Sequence, residues 1–223
     1  MSGHDLEVWG TVAFVVVLVL ATVIAWFAKR YRSESMEEIA KQWGWDFFPV
    51  GDVEVEQEAK RLPLFQRGWA RHLTNALAGA RDEAPMHLFD YEFAVGAGRR
   101  TRTYRQTVAA CLLKTSQSVP TFELRPEHLL DKFSALFGSH DINFTTHPEF
   151  SRLYRLSGTD ESGLRRRFRL ELLHELASQP GWSMEGEGEW VLMYRANRLV
   201  DPDDLEAFRR EAAHLARLLA QGS

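Results

Sequence analysis

The 223-residue chain carries 27 Lys plus Arg against 31 Asp plus Glu, a formal net charge of −4, and a single cysteine, Cys111. A mildly acidic balance gives no footing for nucleic-acid binding. One thiol excludes an intramolecular disulfide and a cysteine-based metal cluster, as expected of a reducing compartment.

Residues 8–28 contain no charged side chain. At about 1.5 Å per residue they make a helix of roughly 31 Å, which matches a hydrocarbon core of about 30 Å. The run from Val12 to Leu20 is apolar on every side, where a buried core helix would keep a polar stripe. Trp9 at one end and Trp26, Phe27 and Tyr31 at the other suit the headgroup level, and Lys29, Arg30 and Arg32 follow directly. Asp5 and Glu7 precede the apolar run without any Lys or Arg, which argues for an anchor over a cleaved leader. The expected arrangement is an extracytoplasmic N-terminus (1–7), a transmembrane helix (8–28) and a cytoplasmic domain (33–223). Trp9, Trp26, Phe27, Lys29, Arg30 and Arg32 serve as its interface anchors. From Ser33 onward the charge is −5, which gives little support for lying on anionic lipid. A water-side part of this size can bury its own core, as one domain or as two lobes meeting near 138.

Met36, Ile39, Ala40 and Trp43 recur at helical spacing, and Gly44 stops that helix. Trp43 and Trp45, close behind the span, are candidates to rest on headgroups. Trp45 to Val50 is extended, and the acids from Asp52 to Glu58 read as a solvated face. Between Arg71 and Leu113 the period becomes two: Leu73, Asn75 and Leu77 share one face, then Phe89, Tyr91, Phe93 and Val95 share another. Turn chemistry at 81–85 and 96–99 makes this a three-stranded antiparallel meander. A strand over Thr121–Leu124 leads to a helix headed by Pro126, with Leu129, Leu130, Phe133, Leu136 and Phe137 as its stripe and Gly138 as its stop. Strands near Asp141–Phe144 and Arg152–Leu156, a helix over Glu161–Ala177 and a hairpin about Gly186-Glu187-Gly188 follow. Asp201 caps a last helix begun by Pro202 and buried through Leu205, Phe208, Leu215, Leu218 and Leu219. The fold class is α+β, a mostly antiparallel sheet with helices packed on one face, behind an N-terminal transmembrane helix.

Gly96-Ala97-Gly98 precedes a β-pattern and not a helix, so it is a turn and not a phosphate loop. Arg99, Arg100, Arg102 and Arg105 cluster behind it, where alternation places Arg100 and Arg102 on one strand face. An anion or a lipid headgroup could use that patch, and an exposed hairpin end is the simpler reading. Arg165, Arg166, Arg167 and Arg169 wrap several helix faces and read as solvated. His140, Asp141, His147 and Glu149 meet no metal-ligand spacing. Asp90 and Glu92 share a strand face, where paired carboxylates could do acid–base work, but the solvent side of the strand explains them more simply. Ser183 lacks a nucleophile-elbow context, and Cys111 reads as a small buried hydrophobe. No residue is assigned a catalytic or metal role, and no cofactor is implied.

Several phrases resemble an uncharacterised family of bacterial membrane-anchored domains. They are Asn75-Ala76-Leu77-Ala78-Gly79, Phe89-Asp90-Tyr91-Glu92-Phe93, Gln106-Thr107-Val108-Ala109, Pro120-Thr121-Phe122-Glu123-Leu124-Arg125-Pro126-Glu127, Asp141-Ile142-Asn143-Phe144 and His147-Pro148-Glu149-Phe150-Ser151. The resemblance runs from about Met36 to the end and implies a bacterial plasma-membrane setting and an architecture, but no activity. The resulting reading is a membrane-anchored binding module whose partners are the bilayer and a protein at the membrane, not nucleic acid. The competing reading is a membrane-tethered enzyme for a small or lipid-derived substrate, using Asp90, Glu92 and the His140 to Glu149 region.

Overall fold

The computed structural model describes residues 3–80, 84–113, 118–128 and 142–222. One continuous helix, α1 (Gly3–Trp43), joins the apolar run to the segment expected as a separate helix. Its junction, Ala28-Lys29-Arg30-Tyr31-Arg32, holds nothing that breaks a helix. Gly44, at φ +70°, ends it as expected. The apolar part is long and apolar enough to cross a membrane and buries nothing against the rest of the chain. Met36 and Ala40, in the last turns, are fully buried in the core.

Behind α1 lies an eight-stranded, wholly antiparallel sheet in the order β1-β2-β3-β4-β8-β7-β5-β6. Its strands are β1 (Asp46–Val50), β2 (Trp69–Gly79), β3 (Met86–Val95), β4 (Arg102–Leu112), β5 (Val119–Pro126), β6 (Tyr154–Gly158), β7 (Trp182–Gly188) and β8 (Trp190–Arg195). The helices are α2 (Val53–Glu58), α3 (Pro63–Gln66), α4 (Pro148–Leu153), α5 (Glu161–Arg167), α6 (Leu170–Ser178) and α7 (Leu205–Ala220). The α+β class and the meander of β2 to β4 are as the alternation predicts.

The sheet is covered on both faces, not one. The end of α1 with α4 to α7 buries Leu77, Leu88, Ala109, Trp182 and Met193 on the first face. On the second, α2 and α3 bury Phe89, Tyr91, Phe93, Val108 and Tyr194. Glu54, Glu56 and Glu58 are exposed as expected, but the helix that carries them is packed: Asp52, itself buried, caps α2 through the Val55 amide, and Val55 and Ala59, one turn apart, face inward. A bulge breaks the expected Leu73-Asn75-Leu77 face. Asn75 takes φ +52° and the register slips between Thr74 and Leu77, so Leu73 lies in the second core and Leu77 in the first.

Other expectations shift with tertiary context. Ile142 to Phe144 forms no strand, although the Ile142 amide donates to Leu156. The segment before β6 is α4, and the helix expected over Glu161–Ala177 divides at Phe168, whose ring turns into the core as the cap of α5. The stripe Leu129, Leu130, Phe133, Leu136 and Phe137 and the lobe boundary near 138 lie outside the described residues. Trp43 and Trp45 pack on the domain: Trp45 is buried, and the Arg209 guanidinium sits 5.6 Å from the Trp43 ring centre.

Gly79 makes room for Trp45 just past the end of α1, because a Cβ there would overlap its indole. Gly79→Ala should cost roughly 1–3 kcal/mol by overpacking. A lowered melting temperature of the full chain in detergent micelles, read by near-UV circular dichroism, checks it.

Candidate functional site

One turn past the uncharged run, α1 presents Arg32 to the first face of the sheet. Its guanidinium forks onto Asp90 of β3, Nε to Oδ2 at 2.6 Å and Nη2 to Oδ1 at 2.7 Å. Nη2 also donates to Thr107 Oγ1 (3.1 Å), and Nη1 donates to the Val200 carbonyl (2.8 Å). Asp90 accepts from the Asn75 amide and the Thr107 hydroxyl as well, each at 3.0 Å. Thr107 in turn accepts from the Val200 amide at 2.9 Å. The local sequence builds this cradle: Asp90 sits between Thr74 of β2 and Thr107 of β4, and the left-handed turn at Asn75, tolerated by its short amide, brings Nδ2 within reach. Asp90 is thus on the face opposite Phe89, Tyr91 and Phe93, as alternation requires, but α1 covers that face and Asp90 is buried. Arg32, expected among the interface anchors, turns inward.

Beside this fork opens a cleft of about 530 Å³. Lys29, Arg71, His72, Glu92 and Arg105 join Arg32, Asn75 and Asp90 in its polar wall, and Pro49, Val50, Leu73 and Leu199 supply an apolar one. Arg105 Nε binds Glu92 Oε2 at 2.5 Å, and Arg71 Nη1 donates to the Phe65 carbonyl at 2.5 Å. Lys29 follows Ala28 directly, so the cleft lies at the level where the uncharged run ends.

The remaining candidates are scattered. Arg99 and Arg100 occupy a 3-10 turn (Gly98–Arg100) and Arg102 opens β4. All three are exposed at the β3–β4 hairpin tip, and only Arg105 of that group reaches the cleft. Trp9, Trp26, Phe27 and Arg30 are exposed along α1, with Arg30 over the Trp26 ring and bound to Glu34 at 2.7 Å. Arg167, read as solvated, is buried and donates to the Ser118 carbonyl. Ser183 and Cys111 are buried in β7 and β4. His147 meets the Thr146 hydroxyl, Glu149 is exposed, and His140 and Asp141 lie outside the described residues. Among the described residues, no three His, Cys, Asp or Glu side chains are placed to hold a metal.

A second polar cluster, which sequence reasoning missed, lies on the opposite face. Arg67 binds both Glu123 and Glu185, Tyr194 donates to Glu185 Oε1 (2.7 Å), and the Leu64 amide donates to Glu185 Oε2 (2.6 Å). Arg125 forks onto Glu123 at 2.5 and 2.6 Å. Burial pushes the Glu185 carboxyl up against the downward pull of Arg67, and burial likewise pushes the Tyr194 hydroxyl well up. Every member is buried, so the cluster ties the α3 segment to β5 and β7 and offers no access to a ligand. The signal in the sequence was Glu185 beside Trp182 and Met184, an acid within an apolar strand.

No family model matches the chain, and no curated protein matches it. Among solved structures, the crystal structure of the mycobacterial trehalose monomycolate transport factor A is similar, with a TM-score of 0.60 and 13% identity, covering 86% of this chain and 94% of that one. At that identity the likeness shows a shared fold.

Asp90→Asn should leave the half-buried Arg32 charge without its counter-charge, a loss of roughly 1–3 kcal/mol. Chemical unfolding of the full chain in micelles measures the loss, and proteolysis at Ser33–Ser35 should quicken as α1 lifts. An unchanged unfolding midpoint would show that the pair does not hold the helix.

Proposed function

We propose that the apolar segment of α1 crosses the plasma membrane with the sheet domain on the cytoplasmic side, and that the chain is a membrane-anchored binding module in the handling or transport of a membrane lipid. The observation that carries this reading is the position of the cleft. It opens where the uncharged run ends, with Lys29, Arg71 and the Arg105–Glu92 pair, and Glu56, beside an apolar wall, a chemistry suited to a polar headgroup and the first methylenes of an amphiphile. The similarity to a transport factor for a glycolipid supports the same direction, at the level of the fold.

The bonding of the acids favours binding over catalysis. Asp90 already accepts from Arg32, Thr107 and Asn75, and Glu92 is held by Arg105, so neither carboxylate is poised as a base. A single helix cannot line a path across a bilayer, so in this reading further spanning helices come from other copies of the chain or from the expected protein partner.

Full-length protein purified from its own membranes should carry a lipid that organic extraction and mass spectrometry detect. Arg71→Glu, at the cleft wall, should lower its occupancy about tenfold, as loss of a charge-assisted contact implies. Equal lipid in both proteins would contradict the assignment of the cleft.

A further inference from the structure

The β3–β4 hairpin tip reads Gly96-Ala97-Gly98-Arg99-Arg100-Thr101-Arg102, three arginines without an acid. Two fixed points set its height against α1. Trp43 and Trp45 pack together, with Trp45 against Gly79, whose strand partner is Met86, and Arg32 lies on Asp90. From the first point to the second, α1 runs back toward its apolar part while β3 runs from Met86 toward Val95, so the hairpin lies at the end of the sheet nearer the apolar helix. The β3–β4 hairpin is thus at the end of the sheet turned toward the bilayer, where its arginines meet headgroups and not water on every side.

Trp69 carries a second, independent indication. It stands opposite Ala94, just below the tip, 52% exposed, with its indole N–H donating to the Gly96 carbonyl at 3.0 Å. An exposed tryptophan with its polar edge satisfied is suited to the membrane interface. The opposite end of the sheet carries Glu187 and Glu189 by the β7–β8 turn, so along the sheet itself the arginines of the tip and these acids are sorted to opposite ends, while Asp201, Asp203 and Asp204 lie behind Val200 beside α1.

We propose that this hairpin is a second membrane contact, seated on anionic phospholipid headgroups of the leaflet from which α1 emerges, with Trp69 at the same depth. The contact does not depend on what fills the cleft, and it rests on α1 crossing the bilayer. Each arginine favours the anionic surface about fivefold, so three hold the tip down nearly all the time.

The full chain, reconstituted in nanodiscs of phosphatidylcholine alone or mixed with phosphatidylglycerol, tests it. A fluorophore on Ala97→Cys reports the tip and one on Glu189→Cys reports the far end, both made with the buried Cys111 changed to Ala. Acrylamide quenching at position 97 should fall several-fold in the anionic discs and recover in high salt. It should also recover when Arg99, Arg100 and Arg102 are all changed to Glu, or to Gln in a milder variant. Position 189 should stay equally quenched throughout. Equal quenching at 97 in both lipids, or protection that survives removal of the three arginines, would overturn the proposal, the latter pointing to a protein partner at the tip. A chain that fails to enter nanodiscs would overturn both the span and this contact, whereas an empty cleft would leave the contact untouched.

Discussion

The docking of the apolar helix hangs on one ion pair, a half-buried Arg32 on a buried Asp90. An arginine this close behind an apolar helix would ordinarily sit in water or among headgroups, yet Arg32 forks onto Asp90 and is fixed further by Thr107 and the Val200 carbonyl. Such a pair adds little net stability over an apolar substitute, because both groups are desolvated, but either charge left alone is costly. Its effect is to select one docking of α1 on the sheet. That docking sets the wall of the cleft, the height of the β3–β4 hairpin and the burial of Met36 and Ala40.

Geometry then overrides composition. A net charge of −5 after Ser33 argues against contact with anionic lipid only if the charges are mixed. Here Arg99, Arg100 and Arg102 gather at one end of the sheet and Glu187 and Glu189 at the other, and the strand directions that produce this sorting are fixed by the meander and by the pairing of β4 with β8. The same directions put Lys29 and Arg105, distant in sequence, in one cleft.

Local periodicity made the meander, the Gly44 stop and the C-terminal helix readable, because each depends on neighbours within a few residues, although the Asp201 cap serves a 3-10 turn (Pro202–Asp204) that precedes that helix. The Asn75 bulge was not, since one residue in left-handed conformation exchanges the faces of Leu73 and Leu77 without disturbing the apolar count. Asp90 looked solvent-facing because its own strand offers no partner, and the partner comes from 58 positions earlier in the chain. The acids of α2 hid Val55 and Ala59, so the second cover of the sheet went unseen. Arg67, which joins Glu123 and Glu185 from a segment outside every predicted element, carried no periodic signal at all.

If the Arg32 fork makes α1 and the sheet one rigid body, the distance between the apolar helix and the far end of the domain is fixed. Double electron–electron resonance between spin labels at Trp26→Cys and Glu189→Cys, with the full chain in lipid nanodiscs, measures that distance directly. The account predicts one narrow distribution that broadens when Arg32 is changed to Ala. A broad distribution in the unaltered chain would contradict it.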